Sequence, residues 1–428
     1  MGRKRAWGLL AAMSLVAAAC AGPTGTATPG ATGTPAATGT PAATGTPAAA
    51  TATPVAATAT PGASPTAALP TEVGDGEGAL TVLAWPGYVE EGLTLPEVDW
   101  LTPFEEATGC QTDVTGFGTS DAAFGLFTTT PEQFDVISAS GDASLRLVRA
   151  GYVQPVNVDL VPSYADIYTS LKDQPYNTVD GVHYGIPHGR GSNQMMWRTD
   201  NVDPAPTRWE QMFDPASGYR VSVYDAPIYI ADAAVVLMDT NPELGITNPY
   251  ALDEAQFAAA IALLEQQRPA VTHYWTDYTD QMAKFRDADV DVGTTWQVIA
   301  NLLQGEDPPV PVDLIKPEEG ATGWSDTWMI NSKTQHINCA YKFLEHIVSA
   351  PVNIQIAEWF GEAPGNSKAC DLSAVEGHCD LFHAADDDPF WDDVWYWQTP
   401  EAACVDGRTD VQCKDFDDWV DAWTTVKG

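Results

Sequence analysis

The feature that most limits what this chain can fold into is a long run of threonine, proline, alanine and glycine near its start. From Ala21 to about Gly74 the sequence repeats "ATGTPA" and holds few large apolar side chains. Such a composition cannot bury enough apolar surface to form a core, so we predict a disordered, semi-extended tether over residues 20–75. About 350 residues remain for a folded part, which exceeds the usual size of one core and indicates two lobes.

The first 19 residues have the three parts of a secretion signal. A positive start at residues 3–5 is followed by an apolar stretch too short to span a bilayer, and then by Ala17-Ala18-Ala19. Small residues directly before Cys20 resemble a bacterial lipobox, which implies that Cys20 is lipidated and begins the mature chain. The alternative is an ordinary signal peptide that leaves Cys20 as a free thiol. We therefore expect an extracytoplasmic protein, anchored to the bacterial cell membrane through lipid alone.

Acidic residues dominate the charge of the chain. The net charge is −38, and removal of residues 1–19 leaves 17 basic against 58 acidic residues. A chain this acidic is repelled by nucleic acid and by anionic lipid, so we exclude both as partners. The charge suits a cationic ligand, but it equally suits solubility in a salty or acidic habitat.

Six cysteines lie beyond the signal and the lipobox, and an even number in an exported chain indicates disulfides. We favour the two local pairs, Cys370 with Cys379 and Cys404 with Cys413, which leave Cys110 to pair with Cys339. Six cysteines allow fifteen connectivities, so the pattern stays open at this point.

Strand and helix patterns alternate along the folded part, which predicts parallel sheets and an α/β fold. We predict a helix start at Asp142 and another at Asp253, each as an N-cap. We assign residues 76–187 and 296–325 to a first lobe and residues 188–295 and 326–428, with a cysteine-rich extension, to a second. The linkers are predicted near Pro187 and Thr294. Strands are predicted at 80–84, 134–140, 219–225 and 290–296, and helices at 100–109, 142–151, 251–269, 338–351 and 419–426.

Motifs of enzyme chemistry are missing from the sequence. It contains no G-x-S-x-G, no glycine-rich phosphate loop, no H-E-x-x-H and no C-x-x-C. The segment "GHCDLFH" holds His378 and His383 around Cys379, but a disulfide explains that cysteine better than zinc does. We therefore expect no enzyme, no metal and no cofactor.

Seven fragments occur in the order found in spermidine/putrescine-type solute-binding proteins of ABC importers, which the chain resembles over roughly residues 79–369. The resemblance implies a two-lobed periplasmic-binding-protein fold of type II with the ligand cleft between the lobes. It also implies a monomer whose partners are a small-molecule ligand, an ABC permease and its ATPase. The fragments are "LTVLAWPGYVEEG", "FDVISAS", "VRAGYVQPV", "YGIPHGRGSN", "GTTWQ", "GWSDTWMINSK" and "EWFGEAPGNSKAC".

Aromatic residues carry the ligand site that the resemblance implies. In the family, the turn after the first strand forms an aromatic box for a polyamine, and Trp85 and Tyr88 fall on that turn. Trp296 falls on a second box position, while Trp324 and Trp328 flank Asp326 in a third aromatic segment. A ring over a cation contributes roughly 0.5–2 kcal/mol. The alternative is that these rings belong to the core.

Three polar positions are also implied as ligand contacts. Ser140 ends the strand "DVISAS", where the family places a polar contact. Asp142 follows it as either a carboxylate for an ammonium group or a helix cap. Glu362 lies near a family contact and offers a compensating negative charge.

Departures from the family pattern leave the ligand open. Ala226 and Tyr229 occupy positions where the family has an acidic pair, and only Asp225 remains beside them. Arg190 stands where an aromatic residue is common; it could grip a carboxylate or form a structural salt bridge. The ligand is therefore expected to be polyamine-like, with a zwitterionic amino-carboxylate or another small solute as the alternative.

Two other classes of protein are kept as hypotheses. An exported carbohydrate-active hydrolase is compatible with the many acidic residues and tryptophans, and a cleft carboxyl group with a raised pKa would favour it. A surface scaffold that has lost transport would instead have its cleft filled by side chains.

Overall fold

The folded part of the protein consists of two α/β lobes, as predicted. The computed structural model describes residues 69–428. The predicted signal, Cys20 and the tether as far as residue 68 lie outside the described residues. Within residues 69–428 no helix has the length and apolar character needed to cross a membrane.

Sixteen strands are present in the described part of the chain. In chain order they are β1 Ala79–Ala84, β2 Gln111–Gly116, β3 Val136–Ala139, β4 Val153–Gln154, β5 Thr178–Val179, β6 Val182–His183, β7 Gly185–Pro187, β8 Gly189–Arg198, β9 Val221–Tyr224, β10 Val271–Trp275, β11 Val292–Trp296, β12 Val312–Ile315, β13 Ala321–Trp324, β14 Thr327–Asn331, β15 Ala363–Pro364 and β16 Val394–Tyr396.

Twelve α-helices accompany the strands within residues 69–428, and short 3₁₀ turns connect several of them. The helices are α1 Leu101–Thr108, α2 Ser120–Thr129, α3 Gly141–Arg149, α4 Glu210–Phe213, α5 Ile230–Thr240, α6 Glu254–Gln267, α7 Tyr278–Arg286, α8 Gln297–Gly305, α9 Ile337–Val348, α10 Ala350–Phe360, α11 His378–Leu381 and α12 Phe416–Lys427.

Helix ends follow local chemistry where the sequence signal is strong. Asp253 caps α6 as predicted, because its side chain accepts hydrogen bonds from two backbone N–H groups while Gln256 completes a capping box. α1 ends at Gly109, which has the positive φ of 72° that this termination favours. The prediction for Asp142 as a cap is wrong: α3 begins at Gly141, Ser140 occupies the cap position, and Asp142 lies inside the first turn.

The first lobe is built on a six-stranded sheet in the order β2-β1-β3-β14-β4, with β7 paired to β14. β1 runs parallel to both β2 and β3, whereas β14 is antiparallel to β3. The apolar side chains of β1 and β3 pack against α1, α9 and α10 in one buried core; its members include Leu80, Val82, Phe104, Ile137, Phe343 and Ile356.

The second lobe is built on an eight-stranded sheet in the order β10-β9-β11-β8-β13-β16, with β12 and β15 paired to β8. β9, β10 and β11 are mutually parallel, so their carboxyl ends share one edge of the sheet. A separate core fills this lobe; its members include Met195, Val223, Leu264, Phe285, Ile299 and Trp419.

Three crossovers connect the lobes, and only the first lies where we predicted. β7 ends the first sheet at Pro187 and β8 begins the second at Gly189. The chain returns between β13 and β14 and crosses again between α10 and β15.

The predicted linker near Thr294 is wrong, because Thr294 lies inside β11 and pairs with β8. Residues 296–325, expected in the first lobe, supply β12 and β13 to the second sheet. Residues 326–360, expected in the second lobe, supply β14, α9 and α10 to the first lobe. β13 and β14 each pair with a strand that lies far earlier in the sequence, and local sequence does not identify such partners.

Three disulfides join the six cysteines in the pattern that we favoured. Cys110 pairs with Cys339 across 229 residues, while the Cys370–Cys379 and Cys404–Cys413 bridges each span 9 residues. Cys110 and Cys339 are fully buried in the first lobe. This bridge therefore ties the end of α1 to α9.

We predict that the long-range bridge contributes more stability than either local one. A crosslink restricts the unfolded chain more as its loop lengthens, so replacing Cys110 and Cys339 with alanine should lower the free energy of unfolding by about 2–3 kcal/mol more than replacing Cys404 and Cys413. Urea denaturation of the two double variants measures the difference. Equal losses would contradict the loop-length argument for this chain.

Candidate functional site

The aromatic turn, residues 85–88, follows β1 and contacts the crossovers between the lobes. Pro86 and Gly87 occupy the central positions of the turn, and the Tyr88 N–H bonds to the Trp85 carbonyl at 3.2 Å. Gly87 has a φ of 95°, which a type II turn requires at its third position and which glycine adopts without strain. The turn thus directs two large rings inward, and both Trp85 and Tyr88 are buried.

Tyr88 ties the aromatic turn to two of the crossovers. Its hydroxyl oxygen lies 2.8 Å from Asp326 Oδ2 and 3.2 Å from Glu362 Oε2. Asp326 lies on the crossover between β13 and β14, and Glu362 lies on the crossover that follows α10. Burial, together with these two carboxyl groups, holds the pKa of Tyr88 well above its usual value. Tyr88 is therefore a neutral hydrogen-bond donor at neutral pH.

Asp326 has both carboxylate oxygens occupied. Besides Tyr88, it accepts a hydrogen bond from Ser140 Oγ at 2.5 Å, and Ser140 in turn accepts one from Trp85 Nε1 at 3.3 Å. Burial raises the pKa of Asp326 to about 6, even though the bonds from Ser140 and Tyr88 oppose that rise. A ligand can reach this carboxylate only by displacing bonds that are already made.

His188 completes the cluster from the remaining crossover. Its Nδ1 accepts a hydrogen bond from Trp328 Nε1 at 3.0 Å, so its proton resides on Nε2. Nε2 faces Glu362 Oε1 at 3.1 Å, and both side chains are fully buried. Each crossover thus contributes one buried ionisable residue to a group that also holds Tyr88; we call His188, Asp326, Glu362 and Tyr88 the hinge cluster.

The void beside the hinge cluster is too small for a ligand. This inner void has a volume of about 10 Å³, which is about the space of one water molecule. The residues that line this void are Trp85, Ser140, Trp296, Trp324, Asp326, Phe360 and Trp397.

A much larger cavity lies on the other side of Trp85 and Trp296. It has a volume of about 210 Å³ and opens between the lobes. The first lobe contributes the aromatic turn, Glu90 and Phe117, and the second contributes Asp277 and residues of α8. Its aromatic lining consists of Trp85, Phe117, Tyr278, Trp296, Trp359 and Phe360. We call it the interlobe cavity.

Aromatic contacts hold the walls of the interlobe cavity in place. The ring of Trp85 lies 4.5 Å from that of Phe117 and 6.2 Å, edge to face, from that of Trp296. Trp296 Nε1 donates to Asn193 Oδ1 at 3.0 Å, and its ring packs against the cores of both lobes. These contacts hold the rings of Trp85 and Trp296 in the wall of the cavity.

Two carboxylates line the interlobe cavity, one from each lobe. Glu90 Oε1 accepts a hydrogen bond from Trp359 Nε1 at 3.2 Å, and burial raises the pKa of Glu90. Asp277 caps α7 by accepting from the Thr279 N–H at 2.8 Å. No lysine, arginine or histidine of residues 69–428 lines the cavity. Its electrostatic character is therefore negative within aromatic walls.

Seven of the predicted ligand residues come together where the lobes meet. Trp85 and Trp296 line both the inner void and the interlobe cavity, whereas Ser140, Trp324 and Asp326 line the inner void and not the interlobe cavity. Tyr88 and Glu362 lie in the hinge cluster. Trp328 packs in the core of the first lobe.

Asp142 is buried in the first turn of α3 and does not line the interlobe cavity. Its Oδ1 makes no hydrogen bond within residues 69–428, and burial raises its pKa to about 7. This placement makes it a neutral buried group over much of the acidic range.

The structure does not bring Arg190, Asp225 or Tyr229 to the interlobe cavity. The Arg190 guanidinium donates to the Ala385 carbonyl at 2.7 Å and to Ser170 Oγ at 3.2 Å. Asp225 accepts hydrogen bonds from Lys427 at 2.6 Å and from Trp423 at 3.0 Å. The hydroxyl of Tyr229 lies 3.2 Å from Gln267 Oε1 in the core of the second lobe.

Sequence reasoning missed several residues of the interlobe cavity. Phe117 follows β2 directly, and Asp277 with Tyr278 follows β10, but neither strand was predicted. Ligand sites in α/β sheets lie beyond the carboxyl ends of parallel strands, so recognising these strands would have pointed to both positions. Trp359 and Phe360 end α10, a helix that the predicted boundary at residue 351 excluded.

Known proteins resemble the chain over most of its folded part. The family described as "Bacterial extracellular solute-binding protein" matches residues 99–381. The "Spermidine/putrescine-binding periplasmic protein 1" of Haemophilus influenzae is 22% identical over 288 residues, which cover 67% of this chain and 74% of that protein.

Solved structures share the fold at lower identity. The TpPotD lipoprotein of Treponema pallidum superposes with a TM-score of 0.65 at 15% identity, covering 82% of this chain and 99% of that one. The binding protein MotA of Agrobacterium tumefaciens in complex with glucopine gives a TM-score of 0.61 at 18% identity, covering 82% of this chain and 100% of that one. These structures confirm the predicted two-lobed periplasmic-binding-protein fold. Because the family model matches two-thirds of its length, the chain belongs to the family of bacterial extracellular solute-binding proteins.

Proposed function

We propose that the protein is the substrate-binding component of an ABC importer and takes an amine in the interlobe cavity. The observation that carries this proposal is a cavity of about 210 Å³ with aromatic rings and a carboxylate from each lobe. The match to a spermidine/putrescine-binding relative supports the same ligand class. No bond of the ligand is made or broken in this function.

The lining of the interlobe cavity suits an ammonium group attached to an apolar body. Each ring that faces a cation contributes about 0.5–1 kcal/mol when exposed and about 2 kcal/mol or more when desolvated. Burial disfavours the charged form of Glu90, so a bound cation regains favourable energy by pairing with it. Aromatic walls meanwhile cover methylene groups and exclude water.

A ligand that touches both lobes stabilises their closed arrangement, because closure is favoured by the difference in affinity between the two states. The closed, loaded protein would then deliver its ligand to a membrane permease with its ATPase. We propose that a monomer tethered through lipidated Cys20 carries out this delivery.

A zwitterionic ligand held by Arg190 gains no support from the geometry. Arg190 is 1% exposed, and its two Nη groups donate to carbonyl and hydroxyl groups of the protein. A protein with this fold was solved in complex with glucopine, so the fold by itself does not identify the ligand. Amino-carboxylates therefore belong in any ligand test.

The two other classes of protein are also less well supported. A hydrolase needs a general acid with a raised pKa, and the pKa of Asp326 is raised. However, both oxygens of Asp326 accept hydrogen bonds from Ser140 and Tyr88, and the void beside them measures only about 10 Å³. A scaffold that has lost transport would have a filled cleft, whereas the interlobe cavity is open.

Calorimetric titration of the unlipidated chain (residues 21–428) tests the proposed function. The panel holds putrescine, spermidine, γ-aminobutyrate, betaine and a neutral sugar. We expect at least one amine without a carboxylate to bind with micromolar or tighter affinity, and Trp85→Ala to weaken it at least ten-fold through loss of a wall of the cavity. Tyr164→Ala, which removes a half-buried ring that does not line the cavity, is the matched control. Binding of γ-aminobutyrate alone, or of nothing in the panel, would overturn the amine proposal.

A further inference from the structure

The two carboxylates of the interlobe cavity belong to different lobes. Glu90 follows the aromatic turn, and its backbone carbonyl is fixed by the N–H groups of Trp100 and Leu101 at 3.2 and 3.1 Å. Asp277 follows β10 at the carboxyl edge of the second sheet. Any motion of one lobe against the other therefore changes the separation of these two groups.

Each of these carboxylates keeps capacity to accept another hydrogen bond. Asp277 uses Oδ1 for the cap of α7, where it accepts from both the N–H and the hydroxyl of Thr279. Its Oδ2 has no hydrogen-bond partner within residues 69–428, and the residue is exposed. Glu90 is engaged through Oε1 by Trp359, and it is only partly buried.

Tyr278 lines the interlobe cavity together with the two carboxylates. Burial, with the nearby Asp277 and Glu90, raises the pKa of its hydroxyl. The two carboxylates therefore share one cavity with this aromatic ring. With no basic side chain lining that space in the described part of the chain, the negative charges have no protein counter-ion there.

Resting on the proposed function, we infer that Glu90 and Asp277 are the ammonium-binding pair of this protein, and that a ligand with an ammonium group at each end bridges the two lobes by contacting both. The apolar segment between the ammonium groups lies along the rings of Trp85 and Trp296. A ligand with one ammonium group satisfies a single carboxylate and leaves the lobes unlinked. The pair thus sets both the preferred ligand length and the coupling of binding to closure.

Chain length and charge removal test this inference together. Unlipidated protein is titrated with α,ω-diamines from three to six carbons and with n-alkylamines of matched length. The variants are Glu90→Gln and Asp277→Asn, the second of which keeps the helix cap because asparagine caps as well as aspartate does. Glu91→Gln is the matched control, since Glu91 is exposed, adjacent and outside the lining of the cavity.

We expect the wild type to bind one diamine length at least ten-fold more tightly than the matched monoamine. That advantage should fall below three-fold in both Glu90→Gln and Asp277→Asn and persist in Glu91→Gln. A diamine advantage that survives in either cavity variant would overturn the pair while leaving the proposed function standing. Failure of every amine to bind the wild type would overturn the proposed function itself.

Small-angle scattering gives a second readout that does not depend on affinity. At saturation, the radius of gyration of the wild type should be smaller with the preferred diamine than with the monoamine. Equal radii with the diamine and the monoamine would contradict bridging. Melting temperatures of the variants, compared with the wild type without ligand, check that each one folds.

Discussion

Replacing Arg190 with methionine should destabilise the fold strongly and leave ligand preference unchanged. The guanidinium is buried and donates to the Ala385 carbonyl at 2.7 Å, to Ser170 Oγ at 3.2 Å and to the Tyr396 hydroxyl at 3.4 Å. It also lies 4.3 Å from the centre of the Trp391 ring. Removing it breaks these hydrogen bonds and the contact with Trp391. A hydrogen bond from a charged donor contributes about 1.5–3 kcal/mol, so the loss of several should cost about 3 kcal/mol or more.

The matched control for this variant is Arg149→Met. Arg149 pairs with Glu401 on the surface, with about half of the arginine side chain exposed, so its loss should cost at most about 1 kcal/mol. Urea denaturation measures both changes, and calorimetry with the amine panel measures selectivity. If Arg190→Met kept its stability but lost an amino-carboxylate ligand, Arg190 would be a ligand residue and our placement of it would be wrong.

The fold should be more stable at pH 5 than at pH 8. Three aspartates are buried, and burial raises the pKa of Asp142 and of Asp232 to about 7 and that of Asp326 to about 6. Their unfolded pKa lies near 3.8, so the folded state binds more protons between about pH 4 and pH 7. Stability from these groups is complete below pH 4 and is lost as pH rises through the folded pKa values.

Carboxylates with lowered pKa values oppose this trend only at more acidic pH. The pKa of Asp291, which pairs with Arg220, and that of Asp135, which accepts hydrogen bonds from Thr334 and His336, are both lowered. Their contribution is present above an unfolded pKa of about 3.8 and is lost as pH falls below it. The two sets of groups together predict a stability maximum in mildly acidic solution.

Asp142→Asn isolates one of the three buried groups. Asparagine has nearly the same shape and carries no ionisable proton, so the gain of the variant over the wild type should be about 2–3 kcal/mol larger at pH 8 than at pH 5, because about two pH units separate pH 5 from the folded pKa of about 7 and each corresponds to about 1.4 kcal/mol. Asp113→Asn, on the exposed edge strand β2, is the control and should change neither value. A loss of stability in Asp142→Asn that is the same at both pH values would contradict the assigned pKa.

The sequence predicted elements whose signals are local. β1, β3 and α6 appear where apolar runs or helical spacing indicated them, and the cap at Asp253 follows from one residue and its partner three positions on. β2 was missed because its side chains are polar and largely exposed at the edge of the sheet. β14 was placed in the wrong lobe because its partner β3 lies almost 200 residues earlier, and local sequence does not identify such a partner.

The candidate site was predictable in its aromatic part and less so in its charges. Trp85 directly follows β1 and Trp296 ends β11, and both strands lie in parallel pairs, so the positions of the two rings at one cleft follow from the order of elements. Arg190 and Asp225 were expected near a ligand because the family resemblance places ligand positions at or beside them. Their hydrogen-bond partners, residues 385 and 427, lie far along the chain, so only the tertiary fold shows that both side chains are already bonded within the protein. Glu90 was passed over because an acidic residue on an acidic chain carries no signal of its own.

The most direct measurement is a crystal structure of the unlipidated chain with a saturating α,ω-diamine. We predict ligand density in the interlobe cavity between the rings of Trp85 and Trp296. A nitrogen of the ligand should lie at hydrogen-bond distance, about 3.2 Å or less, from Glu90 or Asp277. The bonds from Tyr88 and Ser140 to Asp326 should remain intact. Density in the inner void, with Asp326 released from those two hydroxyls to bind the amine, would contradict the assignment of the site.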